Sequence, residues 1–183
     1  MAKNSIGLIE LTSIAAGFQA ADAMLKASDV EIMLSRSICS GKYMVMVRGD
    51  VAAVEAAVSA GLAGCRFAVI DSFVIPNLHE SVFPAIAGAT KVEVLEALGI
   101  LESFSVASLI EGADAAAKTS DVQLIEIRLA MALGGKAFVT MTGDVASVEA
   151  AVAAGRKVIA DAGMLVNAVV NARPHPDVYR EMV

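Results

Sequence analysis

The chain repeats itself, and the repeat limits what it can fold into more than any single motif does. Gly7-Leu8-Ile9-Glu10 returns as Gly99-Ile100-Leu101-Glu102. Asp22-Ala23, Lys26 and Ser28-Asp29-Val30 return as Asp114-Ala115, Lys118 and Ser120-Asp121-Val122, all at an offset of 92. Gly49-Asp50-Val51-Ala52 and Val54-Glu55-Ala56-Ala57-Val58 return as Gly143-Asp144-Val145-Ala146 and Val148-Glu149-Ala150-Ala151-Val152 at an offset of 94, and His79 and Val82 match His175 and Val178 at 96. The second copy is therefore two residues longer between Val122 and Gly143 than the first is between Val30 and Gly49, the interval that holds the stretch Ser37-Ile38-Cys39-Ser40-Gly41-Lys42. Its counterpart, Ala130-Met131-Ala132-Leu133-Gly134-Gly135-Lys136, has no cysteine.

Period and punctuation give the order of elements within one copy. Ile6 to Leu11 reads as a short strand, and Ser13 as the N-cap of an Ala-rich helix reaching about Ala27. Val30, Ile32, Leu34 and Ile38 alternate with Glu31, Met33, Ser35 and Ser37, as expected of a strand with one buried face. The Cys39 stretch then turns the chain into a strand from Tyr43 to Val47, with Gly41 where a hairpin needs positive φ. Asp50 caps a second helix to about Ala63, and a last strand is expected from Phe67 to Ile75. Each copy is thus β-α-β-β-α-β, which predicts an α+β fold of two tandem ferredoxin-like domains, each a four-stranded antiparallel sheet covered by helices. The copies meet near 88–94, giving domains of 1–90 and 91–183.

Composition matters here mainly for what it excludes. A hydrophobic fraction of 57% and a mean hydropathy of +0.68 raise the question of a membrane, but the longest runs without a charged residue, Leu11 to Ala21 and Ala162 to Ala172, are eleven residues long. A spanning helix needs about 20. Glu10 interrupts any signal-like apolar core, so a cytosolic location is expected. A net charge of -6 without a basic cluster argues against nucleic acid as a partner.

Catalytic chemistry is poorly represented. The two histidines, His79 and His175, recur at equivalent places, which favours a structural role. Glu10 and Glu102 are duplicated and are expected to bind backbone or a neighbouring subunit; Asp50 and Asp144 are helix caps. No CxxC, HExxH or GxGxxG occurs, and Gly41-Lys42 lacks the rest of a phosphate loop. An enzyme is not expected. Of the two cysteines, Cys65 follows an Ala-rich helix and reads as a small buried apolar group. Cys39 lies on a turn, where a thiol gains little from packing.

IGLIEL, DAMLKASDVEIM and VRGDVAAVEAAVSAG resemble the signature segments of bacterial microcompartment shell proteins, and LGILES, DAAAKTSDVQLI, TGDVASVEAAVAAG and ARPHPDV resemble a second copy. Two such domains in one chain resemble the tandem-domain shell proteins, which form homotrimers shaped as pseudohexamers and tile with other shell proteins. The SICSGK loop and the RPH end are similar to the T-type tandem protein of propanediol-utilisation compartments. That resemblance implies a [4Fe-4S] cluster at the trimer axis held by Cys39, with Ile38, Ser40, Gly41, Leu133, Gly134 and Gly135 lining the pore. It also implies a place in the shell of a cytoplasmic microcompartment, and a lumenal or cytosolic redox protein as partner. Lys26, Lys118 and Arg173 correspond to tile-edge residues, although the first copy has Pro76-Asn77-Leu78-His79 where the second has Ala172-Arg173-Pro174-His175.

A cubane cluster takes about four thiolates, which one chain with one exposed cysteine cannot supply; a threefold axis gives three. Zinc or an intersubunit disulfide at Cys39 remains open, as do two other functions: a metabolite pore without a cluster, and a ferredoxin-like small-molecule sensor.

Overall fold

The computed structural model describes residues 4–92, 94–130, 133–175 and 177–178. The chain divides into two compact units that meet in sequence between Leu78 and His79. The first contains β1 (Ser5–Leu11), α1 (Ile14–Ala27), β2 (Glu31–Ile38), β3 (Lys42–Gly49), α2 (Val51–Ala63) and β4 (Val69–Ile75). The second begins with a short helix, α3 (Val82–Ala87), and continues with β5 (Ala97–Ser103), α4 (Val106–Thr119), β6 (Gln123–Leu129), β7 (Ala137–Gly143), α5 (Val145–Asp161) and β8 (Leu165–Asn171). Each unit holds a four-stranded antiparallel sheet, ordered β2-β3-β1-β4 in the first and β6-β7-β5-β8 in the second. This is the α+β arrangement expected from the repeat.

The helices start where their caps are. Ser13 and Ser105 accept the N–H groups of Ala16 and Ser108, while Asp50 and Asp144 accept those of Ala53 and Ser147. Each cap satisfies a backbone donor that the first helical turn leaves without an intrahelical partner. At the other end, the Ser28 hydroxyl donates to the carbonyl of Ala53 at 2.6 Å, and the Ser120 hydroxyl to that of Ser147 at 2.7 Å. One serine in each copy thereby ties the end of the first helix to the start of the second.

Ile9, Leu11, Tyr43, Val45 and Val47 face both helices of the first unit and form its core with Ala16, Ala20, Met24, Val54 and Ala57. Glycines set how closely the layers approach. A Cβ on Gly17 would lie 2.2 Å from the ring of Tyr43, and the second copy has Leu109 and Ala137 at these two positions. The same volume is filled from the helix in one copy and from the strand in the other.

Two expected strands differ from the structure. The alternation in β2 is broken by a bulge between Ile32 and Leu34, after which an extra residue shifts every later side chain to the other face; on this edge strand Ile32 is exposed and Leu34 only half-buried. The last strand of the first unit starts at Val69, because Arg66–Ala68 form a 3₁₀ turn that leaves Phe67 in solvent.

Candidate functional site

The connection between β2 and β3 carries Cys39. Ile38, the last residue of β2, is buried and pairs with Lys42, the first of β3. Cys39–Gly41 close the turn as one 3₁₀ turn, with Gly41 at φ 73° and open space where a Cβ would stand. Glycine is there for its backbone conformation alone. Cys39 is half-buried, is in no disulfide, and is the first residue of this turn.

Lys42 holds the base of the loop. Its ammonium donates to Glu10 on the central strand β1 at 2.8 Å, and the Glu10 carboxylate is largely buried. The second copy repeats the pair as Lys136 and Glu102 at 2.7 Å. Glu10 and Glu102 therefore bind a lysine of their own unit, where the sequence suggested backbone or a neighbouring subunit; the sheet brings the two ends of each pair together. Equivalent Glu and Lys in both copies were the signal for this contact.

The second connection is wider. Ala130 adopts φ 51°, Gly134 φ 61° and Gly135 φ 89°, and the Ala130 and Lys136 N–H groups donate to the carbonyls of Lys136 and Leu133. Gly134 and Gly135 are exposed and Leu133 half-buried. Ala132 and the side chain of Ser40 lie outside the described residues.

Cys65 is in a different environment. It is fully buried, its thiol donates to the carbonyl of Gly61 at 2.7 Å, and burial pushes its pKa up. Among the described residues, no three His, Cys, Asp or Glu of one chain come together as a metal site. The chain thus offers one accessible thiol, and a cluster with several thiolate ligands fits only where copies of Cys39 converge.

The remaining singled-out residues are placed as follows. Lys26 and Lys118 each bridge to an aspartate one turn earlier, Asp22 and Asp114. Asp114 also accepts the backbone N–H of His79 at 2.6 Å. Arg173 is exposed just after β8. In both histidines Nδ1 accepts a backbone N–H two residues on, from Ser81 and Asp177, so each ring supports the turn it sits in.

The BMC domain matches twice, over residues 5–78 and 97–174. The chain belongs to the BMC-domain family of bacterial microcompartment shell proteins. It is 43% identical over 179 residues to the bacterial microcompartment shell protein PduT of Citrobacter freundii, covering 98% of this chain and 97% of that protein. The shell protein PduA of the same organism matches one copy only, 40% identical over 84 residues, which are 45% of this chain and 90% of PduA. A crystal structure of a microcompartment protein from Desulfitobacterium hafniense superposes with a TM-score of 0.95 at 52% identity, covering 98% of this chain and 99% of that one. The chain is accordingly a tandem-domain shell component of a cytoplasmic microcompartment, and the sensor alternative falls away. Among the described residues no helix is long and apolar enough to cross a membrane.

Proposed function

We propose that three copies of this chain form a pseudohexameric shell tile in which three Cys39 loops meet on the threefold axis and hold one [4Fe-4S] cluster. The observation that carries this reading is the position of Cys39: a partly accessible thiol on a tight turn, in one repeat only, with the turn's base held by Lys42 and Glu10. Three thiolates leave one iron for water or a partner's donor, whereas a thiol in both copies would give six and overfill the site. Ile38, Ser40 and Gly41 would surround the cluster and Leu133, Gly134 and Gly135 complete the ring. Lys26, Lys118 and Arg173 would face neighbouring tiles built from this and other shell proteins. When bound, such a cluster supplies one-electron exchange. The tile would then pass electrons through the shell to or from a redox protein.

Iron and acid-labile sulfide analysis of anaerobically reconstituted protein tests the reading. About four of each per trimer are expected, with broad visible absorption. Cys39→Ser loses all three signals while keeping its assembled mass, and Cys65→Ser keeps them. Full iron and sulfide in Cys39→Ser would overturn the cluster and leave a plain metabolite pore.

A further inference from the structure

Strands β3 and β7 carry the same segment of the repeat but end differently on the face turned away from the helices. Arg48 and Thr142 occupy equivalent positions, as do the residues opposite them on the edge strands, Glu31 and Gln123. In the first copy the Arg48 guanidinium lies on the Glu31 carboxylate, with Nη2 2.7 Å and Nε 2.8 Å from Oε2. In the second copy both positions hold uncharged side chains that turn to backbone. The Thr142 hydroxyl donates to the Ala97 carbonyl at 2.9 Å and accepts the Glu96 N–H at 3.2 Å, while the Gln123 amide donates to the Lys91 carbonyl at 2.7 Å.

The place of the arginine is left as a cavity of about 340 Å³, lined by Val94, Glu96, Asp121, Gln123, Thr142 and Asp144. Asp121 and Asp144 repeat Asp29 and Asp50, whereas Glu96 stands where the first copy has Asn4. Each copy therefore has three carboxylates here, and only the first has an arginine among them. Asp144 is engaged in capping α5, with both carboxylate oxygens on Ser147. Among the described residues neither Glu96 nor Asp121 has an ion pair. Carboxylates that share one hollow repel each other, and a cation entering it relieves them together. Thr140, two residues along the same face of β7, is 2% accessible, and its hydroxyl has no hydrogen-bond partner among the described residues. A buried acceptor of this kind calls for a donor that the chain does not supply.

We propose that this cavity binds a guanidinium group from outside the chain, in the place that Arg48 takes in the first copy. Glu96 and Asp121 accept its N–H groups, a geometry for which the planar guanidinium is suited. Val94 lines the path of its aliphatic stem, and Thr140 Oγ1 is the next unused acceptor on that face. A divalent metal ion fits less well, because among the described residues no three acidic side chains stand close enough to share one. The guanidinium belongs either to a small free amine such as agmatine or to an arginine of a partner protein, and the recognition chemistry is the same for both. The site is independent of Cys39 and of the cluster.

Calorimetric titration of the full chain with agmatine at low salt tests the proposal. Saturable binding of one agmatine per chain is expected, weakening as salt is raised. Asp121→Asn should weaken it about tenfold, and Thr142→Arg, which restores the arginine of the first copy, should abolish it. Asp29→Asn removes the same charge from the first copy and should leave binding unchanged. Far-UV circular dichroism checks that each variant is folded. Acetyl-arginine amide presents the same group on a blocked backbone: affinity equal to that of agmatine identifies a partner's arginine as the source, and binding of agmatine alone identifies a free amine. No binding of either probe, equal losses in Asp29→Asn and Asp121→Asn, or full affinity in folded Thr142→Arg would each overturn the proposal.

Discussion

Tyr43 occupies the space that any side chain at position 17 would need. Its ring atoms lie 2.2 and 2.4 Å from where a Cβ on Gly17 would stand, its hydroxyl meets Ser35 Oγ at 3.1 Å, and its ring contacts Phe18 with centroids 5.2 Å apart. Helix α1 can lie on β3 only because residue 17 has no side chain.

Gly17→Leu should therefore destabilise the first unit by about 1–3 kcal/mol through overpacking, and Tyr43→Ala by about 3–5 kcal/mol through the cavity it leaves. The double variant recreates the Leu109 and Ala137 arrangement, and should be more stable than the sum of the two losses predicts by roughly 2 kcal/mol. Denaturant titration of all four proteins gives the coupling. Simple additivity would show that the two positions do not share one volume.

The glycines between the helix pairs are not equivalent. A Cβ on Gly155 would lie 2.6 Å from the Gly112 carbonyl oxygen, whereas a Cβ on Gly61 would meet the side-chain ends of Ile9 and Met24. Side chains can turn away and backbone cannot, so Gly155→Ala should lower the melting temperature more than Gly61→Ala. Equal shifts in parallel thermal melts would contradict this.

The two thiols should react in sequence. A maleimide added to the native apo protein is expected to modify Cys39 and spare Cys65, whose burial both blocks access and raises its pKa, reducing the thiolate that attacks. Peptide mass mapping at neutral pH reads the sites, and labelling of Cys65 should appear only on unfolding. Equal rates would mean that the Gly61 contact does not protect the sulfur.

Removing Lys42 should cost more than removing Lys136, because the carboxylate each leaves behind is more buried in Glu10 than in Glu102. Lys42→Met is expected to destabilise by about 1–3 kcal/mol, and Glu10→Gln in the same chain should recover part of that loss. Chemical denaturation of the two lysine variants and the Lys42→Met/Glu10→Gln pair checks the order.

Much of this fold is legible in the sequence because duplication shows each signal twice. The caps Ser13, Asp50, Ser105 and Asp144 follow from residue type and position, and the turn glycine Gly41 from the hairpin it serves. What was not legible depends on pairing across the sheet. The bulge in β2 arises from the register against β3, not from local preference, and Phe67 reads as apolar whether it sits in a strand or on an exposed turn. The site divides in the same way. Cys39 stands out because its counterpart lacks it; Glu10 and Lys42 each recur in the second copy, but only the sheet shows that they pair.

A chain containing two nearly interchangeable halves risks building one sheet from strands of both while it folds. The Gly17 and Tyr43 pair, set against Leu109 and Ala137, penalises that error in either direction. A helix from the second half laid on β3 would press Leu109 into the Tyr43 ring, and the opposite hybrid would leave Gly17 facing Ala137 across a void. Moving one large side chain from helix to strand thus gives each half a mark of its own. Similar halves can share one polypeptide and still sort themselves correctly, and the same mismatch would handicap a gene product in which recombination had exchanged a helix between the repeats.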